Sequence, residues 1–303
     1  MKLTPLSTLL LLSIVAFTTA CTTAPSLQQI ATFGDASASL AQHAGKGLTL
    51  TQTTTVDRKL HEVAIDASTL PSDDDFVGPI GADDLKARRA LFDQFGEYGD
   101  GLHILAAADF QSDVEAASRK LDSSLRKLSK QVAKTGSPTL SNERIGILVA
   151  AINAIGGTYA EAKKRAALKQ IIVDADDTIQ AVVKLIRGEF GPDGVLAART
   201  KTNLQTQLTV LNAAYNIDRE RPGSTFQSRR THLEQIRGMR RRITGLDGFY
   251  PAVDKAAMQV GEAHAALKDA VSQDEFSTER VVTQVRALVD RAKDVKSFYD
   301  AIN

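Results

Sequence analysis

Residues 281–302 read VVTQVRALVDRAKDVKSFYDAI. Val281, Val285, Leu288, Ala292, Val295, Tyr299 and Ile302 recur every three or four residues, and most positions between them are charged or polar. Side chains at that spacing share one face of an α-helix, so the segment presents an apolar stripe that a neighbour must cover. A half-buried strand would alternate with a period of two, and this segment does not.

The same period runs back through the chain. Leu121, Leu125, Leu128 and Val132 follow it, as do Ile145, Leu148, Ile152, Ile155 and Tyr159. Leu168, Ile172, Ala175, Ile179, Val182 and Ile186 continue it, and Leu204, Leu208, Leu211 and Tyr215 repeat it. Strand-like character is confined to Leu48-Thr49-Leu50-Thr51 and Thr53 to Val56, where β-branched residues weaken a helix. A helix is still expected over 27–66. Pro71, Gly78, Pro79 and Gly81 predict a loop over 67–82, with Asp83 and Asp84 at the next helix start, where carboxylates meet free backbone N–H groups. Further breaks are expected at Gly136-Ser137-Pro138, at Gly188 to Gly194, at Arg221-Pro222-Gly223 and at Gly245 to Pro251. Gly96, Gly99 and Gly101 are expected to kink or split the second helix, and Gly156-Gly157 to permit a bend or a close crossing. The fold expected is all-α: an elongated antiparallel bundle of about six helices, one domain over 27–303, with 188–194 as the place where a division would fall.

The N-terminus has a different pattern. Lys2 is followed by a mostly apolar run from Leu6 to Phe17, then by Thr18, Thr19, Ala20 and Cys21. The run is too short for a membrane span, which needs about 20 apolar residues, and it suits a secretory signal. Phe17-Thr18-Thr19-Ala20-Cys21 resembles the lipobox of bacterial lipoproteins, with small Ala20 before the cysteine and Thr22-Thr23-Ala24-Pro25-Ser26 as a tether after it. Thr18 stands where that class usually has leucine. The resemblance implies a signal peptide over 1–20, a lipidated N-terminus and tether over 21–26, and lipidation at Cys21. Thr22 is not the aspartate that tends to retain such proteins at the inner membrane, so the resemblance implies the periplasmic face of the outer membrane. The other reading of these residues is an ordinary signal peptide, cut after Ala20 or Ala24, with an incidental cysteine.

Composition narrows the function. Hydrophobic residues make up 43% of the 303 and charged residues 24%, which suits a folded globular chain and not a disordered one. A net charge of +1 argues against bulk attraction to nucleic acid. Cys21 is the only cysteine, which excludes an internal disulfide and a cysteine-based zinc site. His43, His61, His103, His232 and His264 form no local ligand pair, and His61-Glu62 has Ile65 where a zinc-protease helix has its second histidine. Asp73-Asp74-Asp75 lacks the ligand alternation of a calcium loop. Asp174, Asp176 and Asp177 read as an exposed helix face pairing with nearby lysines. His264 lies on an apolar stripe with Val260, Leu267 and Val271, and reads as a core-edge histidine bonded to a carbonyl or carboxylate, against a buried titrating group. No nucleophile elbow, phosphate loop or dinucleotide fingerprint is present; Gly99-Asp100-Gly101 lacks its third glycine. No catalytic residue, metal or cofactor is therefore assigned.

One surface stands out. Residues 218–245 hold eight arginines against Asp218, Glu220 and Glu234. Arg230, Arg237 and Arg241 align on one helix face, the candidate contact for an anionic partner. Arg240 falls on the apolar register of Leu233, Ile236 and Ile243, which predicts a carboxylate partner at the bundle edge. The alternative is a solvated basic face. The function expected is a membrane-anchored, non-enzymatic envelope lipoprotein that acts as a protein-interaction or adaptor module. Its partners would be the membrane through its lipid, an envelope protein, and an anionic lipid or glycan, with no nucleic acid. Competing readings are an immunity or inhibitor lipoprotein that neutralises a toxin or hydrolase, and an enzyme or apolar-ligand carrier with an opening near Gly96 to Gly101 or Gly156-Gly157.

Overall fold

The computed structural model describes residues 27–302 apart from 67, 69, 110, 134–159 and 193. Among these residues every regular element is helical, as the stripes predict: α1 (Gln28–Ile65), a single 3-10 turn (Asp73–Phe76), α2 (Ala82–Ala107), α3 (Gln111–Ala133), α4 (Ala160–Phe190), α5 (Val195–Glu220), α6 (Phe226–Ser272) and α7 (Glu279–Ile302). Cys21, the signal segment, Gly136 to Pro138 and Gly156-Gly157 lie outside the described residues.

Helix α1 is the centre of the bundle. Its buried positions are spread around most of the helix: Ala31, Gly34, Ile30, Phe33, Ala36 and Leu50 point in successive directions and are all buried. Four helices cover them. Gly34 packs on Gly99 of α2, Phe33 on His264 of α6 with ring centroids 5.6 Å apart, His43 on Tyr299 of α7 at 5.8 Å, and Thr51 on Thr200 of α5. The buried apolar side chains form one continuous core from Leu27 to Ile302, and the break after Phe190 does not interrupt it.

The threonine-rich stretch is helical because its hydroxyls have partners. Thr55 donates to the Thr51 carbonyl at 3.0 Å and Thr54 to the same carbonyl at 3.2 Å, satisfying polar groups that would otherwise be buried without partners. Facing them on α5, Thr200, Asn203 and Gln207 repeat at helical spacing. Asn203 donates to Thr55 Oγ1 at 2.7 Å, Gln207 to the Thr54 carbonyl at 2.7 Å, and the Tyr250 hydroxyl of α6 to Thr200 Oγ1 at 2.8 Å. This polar seam fixes the register of α1 against α5.

Two breaks differ from the sequence expectation. The stretch after Asp83 contains two helices, but the division falls at Ala108–Asp109 and not at the glycines. Gly99 and Gly101 stay helical because they let neighbours close in: a Cβ on Gly99 would press on the Gly34 carbonyl oxygen, and one on Gly101 on Leu121 of α3. Gly245 to Pro251 is no break at all, since α6 runs through it for 47 residues. Gly245 and Gly248 lie under Ile302 and Phe298 of α7, so packing replaces turn chemistry. Pro251 removes a donor from the Asp247 carbonyl, but both residues lie on the exposed side of the helix, where the loss costs least. The turn that ends α6 is instead at 273–278.

Candidate functional site

The arginine-rich segment opens α6. Thr225 caps the helix by accepting from the Ser228 N–H at 3.1 Å, and the helical period then turns Ile236, Met239 and Leu246 into the core. Arg237, Arg240 and Arg241 are left on the outer surface. They line one side of an open groove of about 930 Å³. Its other walls are Asn212, Tyr215 and Asn216 of α5, and Phe298 and Ala301 of α7; Leu233 and Ile236 complete an apolar floor. Leu233 is 49% exposed and Phe298 39%, so much of that floor meets solvent.

The structure brings Arg237 and Arg241 together as the sequence predicts and separates Arg230 from them. Arg230 lies beyond the groove and pairs with Glu234 of its own helix at 2.8 Å. Arg240 corrects the expectation of a carboxylate partner. No carboxylate among the described residues lies in ion-pairing reach of Arg237, Arg240, Arg241 or Arg242, because the facing stretches of α5 and α7 present Asn212, Asn216 and Ala301. Arg229 has a structural task, donating to the Ser224 carbonyl at 3.2 Å in the turn before α6. Sequence reasoning missed Phe298 and the two asparagines as wall residues. Phe298 had a local signal, an aromatic one position off the stripe of Val295, Tyr299 and Ile302; the asparagines had none.

A second polar cluster lies inside the bundle. His264 is fully buried and bonds Asp176 Oδ1 through Nδ1 at 2.9 Å and the Tyr98 hydroxyl through Nε2 at 2.8 Å. A carboxylate only accepts, so Nδ1 donates to Asp176; in the neutral imidazole Nε2 then accepts from the Tyr98 hydroxyl. Lys268 donates to Asp176 Oδ2 at 2.7 Å, and Gln180 to Oδ1 at 3.3 Å. This overturns the exposed-face reading for Asp176, which is buried; only Asp177 of the three is exposed. The bond to a carboxylate agrees with the reading of His264. Burial opposes ionisation of Asp176, but the hydrogen bonds from His264, Lys268 and Gln180 outweigh it and hold the carboxyl well below its usual range. Burial, reinforced by the Asp176 charge, pushes the Tyr98 phenol above its usual range. Tyr98 and His264 are both sealed from solvent, which makes this cluster a buried clamp between α2, α4 and α6.

The remaining sequence candidates are local. His43 and His61 each bond a carbonyl one turn back on their own helix, at 2.7 and 2.6 Å. Asp73-Asp74-Asp75 forms the 3-10 turn, with Asp75 accepting from the Ser72 N–H at 2.8 Å. Among the described residues no cluster of three histidine, cysteine or acidic side chains could hold a metal ion. The opening expected near Gly96 is a polar groove of about 800 Å³ between α1 and α2, lined by Lys46, Arg89, Asp93, Glu97 and Asp100 among others. No helix of the described residues is long and apolar enough to cross a membrane.

Comparison with protein-family models, with curated proteins and with solved structures finds no match to this chain. The functional reading therefore rests on the geometry of the arginine groove and on the N-terminal segment.

Proposed function

We propose that this protein is an exported lipoprotein, anchored through Cys21 at the periplasmic face of the outer membrane, and that its helical bundle is a non-enzymatic protein-binding module. The observation that supports the module is the juxtaposition of an exposed apolar floor with three arginines that have no carboxylate partner among the described residues. Arginine and tyrosine in an apolar setting dominate protein-binding energy, and guanidiniums without a counter-charge favour an anionic surface. The lipobox-like segment ending at Cys21 supports the anchor. Several acyl chains at about 0.8 kcal/mol per buried methylene hold such a protein stably.

The test has two arms. Cells grown with a clickable palmitate analogue should label the wild-type protein and not Cys21→Ser, which should also leave the membrane fraction. In cross-linked envelopes, a discrete protein should be captured with wild type and lost with Arg237→Glu, Arg240→Glu and Arg241→Glu combined, while the variant keeps its helical signal. Unchanged labelling in Cys21→Ser would refute the anchor. Capture that is indifferent to the three arginines would refute the groove as contact face.

A further inference from the structure

The groove can be given an occupant and a distance from the anchor. Helices α1 and α6 run antiparallel: Phe33 meets His264, Gly47 lies against Phe249, and Thr51 meets Tyr250. At the far end, His61 and Ile65 share a surface with His232 and Gln235, one turn from Arg237. Leu27, the first described residue after the tether, is therefore at the opposite end. Thirty-four helical residues from Leu27 to His61 span about 50 Å, whereas the six residues 21–26 reach about 20 Å at full extension. A bundle standing on its anchored end would hold the arginines toward the periplasm, beyond the reach of the headgroups of its own membrane.

The groove itself suits a helix. Its α6 wall runs from Leu233 to Gly245, about 18 Å or three helical turns. It is open along one side, so an inserted ligand keeps an outward face. A wholly polar glycan would leave Leu233, Ile236, Tyr215 and Phe298 without a partner. A single headgroup would meet one or two guanidiniums, whereas carboxylates on successive turns of a helix reach all three. From this charge complementarity and shape, and resting on the binding-module reading above, we infer that the groove receives an amphipathic helix of a periplasmic protein, apolar on one face and lined with Asp or Glu along the adjoining edge.

The probe is a synthetic 18-residue helix with leucines on one face, glutamates beside them and one tryptophan. The protein has no tryptophan, so the indole reports the peptide alone. Titrated with the purified mature chain in mild detergent, the peptide should bind one to one. Binding should weaken about tenfold or more in the triple Arg→Glu variant and in Leu233→Asp, and should fall as salt rises from about 0.05 M to about 0.5 M. A scrambled peptide of the same composition should not compete. Leu233 and the three arginines are exposed, so unchanged melting of both variants verifies that the fold is intact. Equal binding of the scrambled peptide, indifference to the variants, or displacement by phosphatidylglycerol vesicles would each overturn the acidic-helix occupant. Envelope capture reads the binding module and palmitate labelling the anchor, so a failed titration beside arginine-dependent capture removes the acidic helix alone.

Discussion

At the scale of single residues, Asp176 ties stability to pH. Above about pH 3.9 its carboxyl is ionised in both the folded and the unfolded chain. Below that, the unfolded chain takes up a proton that the folded state resists, because its folded affinity for the proton is depressed. The unfolded state then binds more protons, so this part of the stability is present above the ordinary aspartate range and is lost as pH falls. Urea midpoints measured from pH 6 to pH 3 should drop steeply in wild type and less steeply in Asp176→Asn. At neutral pH that variant should be less stable by about 1–3 kcal/mol, since it turns an amide toward Lys268. An unchanged acid slope would remove Asp176 from the account. Only half of this was readable locally: the apolar stripe around His264 announced a bond to a carbonyl or carboxylate, but not its partner. Three aspartates within four residues look like a solvated helix face, and the histidine that buries one of them lies 88 residues away.

At the scale of elements, the glycines divide into two kinds. Gly34 and Gly99 let α1 and α2 touch backbone to backbone. Gly99→Ala should destabilise the fold by about 1–3 kcal/mol despite the better helix propensity of alanine, because the atom it meets is a carbonyl oxygen that cannot move aside. Gly238 is inside α6 with open space where a Cβ would point, so Gly238→Ala should stabilise by about 0.5–1 kcal/mol. Thermal melts of the two variants should move in opposite directions; a gain for both would deny the close crossing. Stripes such as Val281 to Ile302 announced helices because the period is a local property. The 245–251 stretch misled for the same reason: its glycines and proline are turn-formers locally, but Phe298 and Ile302 of α7 require small residues beneath them. The arginine groove was half readable. Helical phase aligned Arg237 with Arg241, while the lack of a carboxylate beside Arg240 depended on which ends of α5 and α7 came to face it.

At the scale of the whole molecule, α1 is the element that α2, α5, α6 and α7 share. Its seal against α2, α5, α6 and α7 predicts that a chain lacking residues 28–65 will show no cooperative thermal transition in circular dichroism. Melting of the shortened chain at the wild-type temperature would mean that the outer helices hold one another without it. The central placement of α1 also explains why 27–66 joins the apolar stripes less clearly than the other helices: a helix covered on many sides needs no single stripe.

The antiparallel pairing of α1 with α6 also has a mechanical side. A pull entering at Leu27 and opposed by a load at Arg237 would act at opposite ends of two helices packed side by side. Such a pull slides the helices along their common length and does not peel them apart. Every contact from Phe33–His264 to Thr51–Tyr250 then bears part of the force at once. Tension applied instead across Gly245 and Ile302, which face each other at one end of the α6–α7 pair, would open that pair one contact after another and should need much less force.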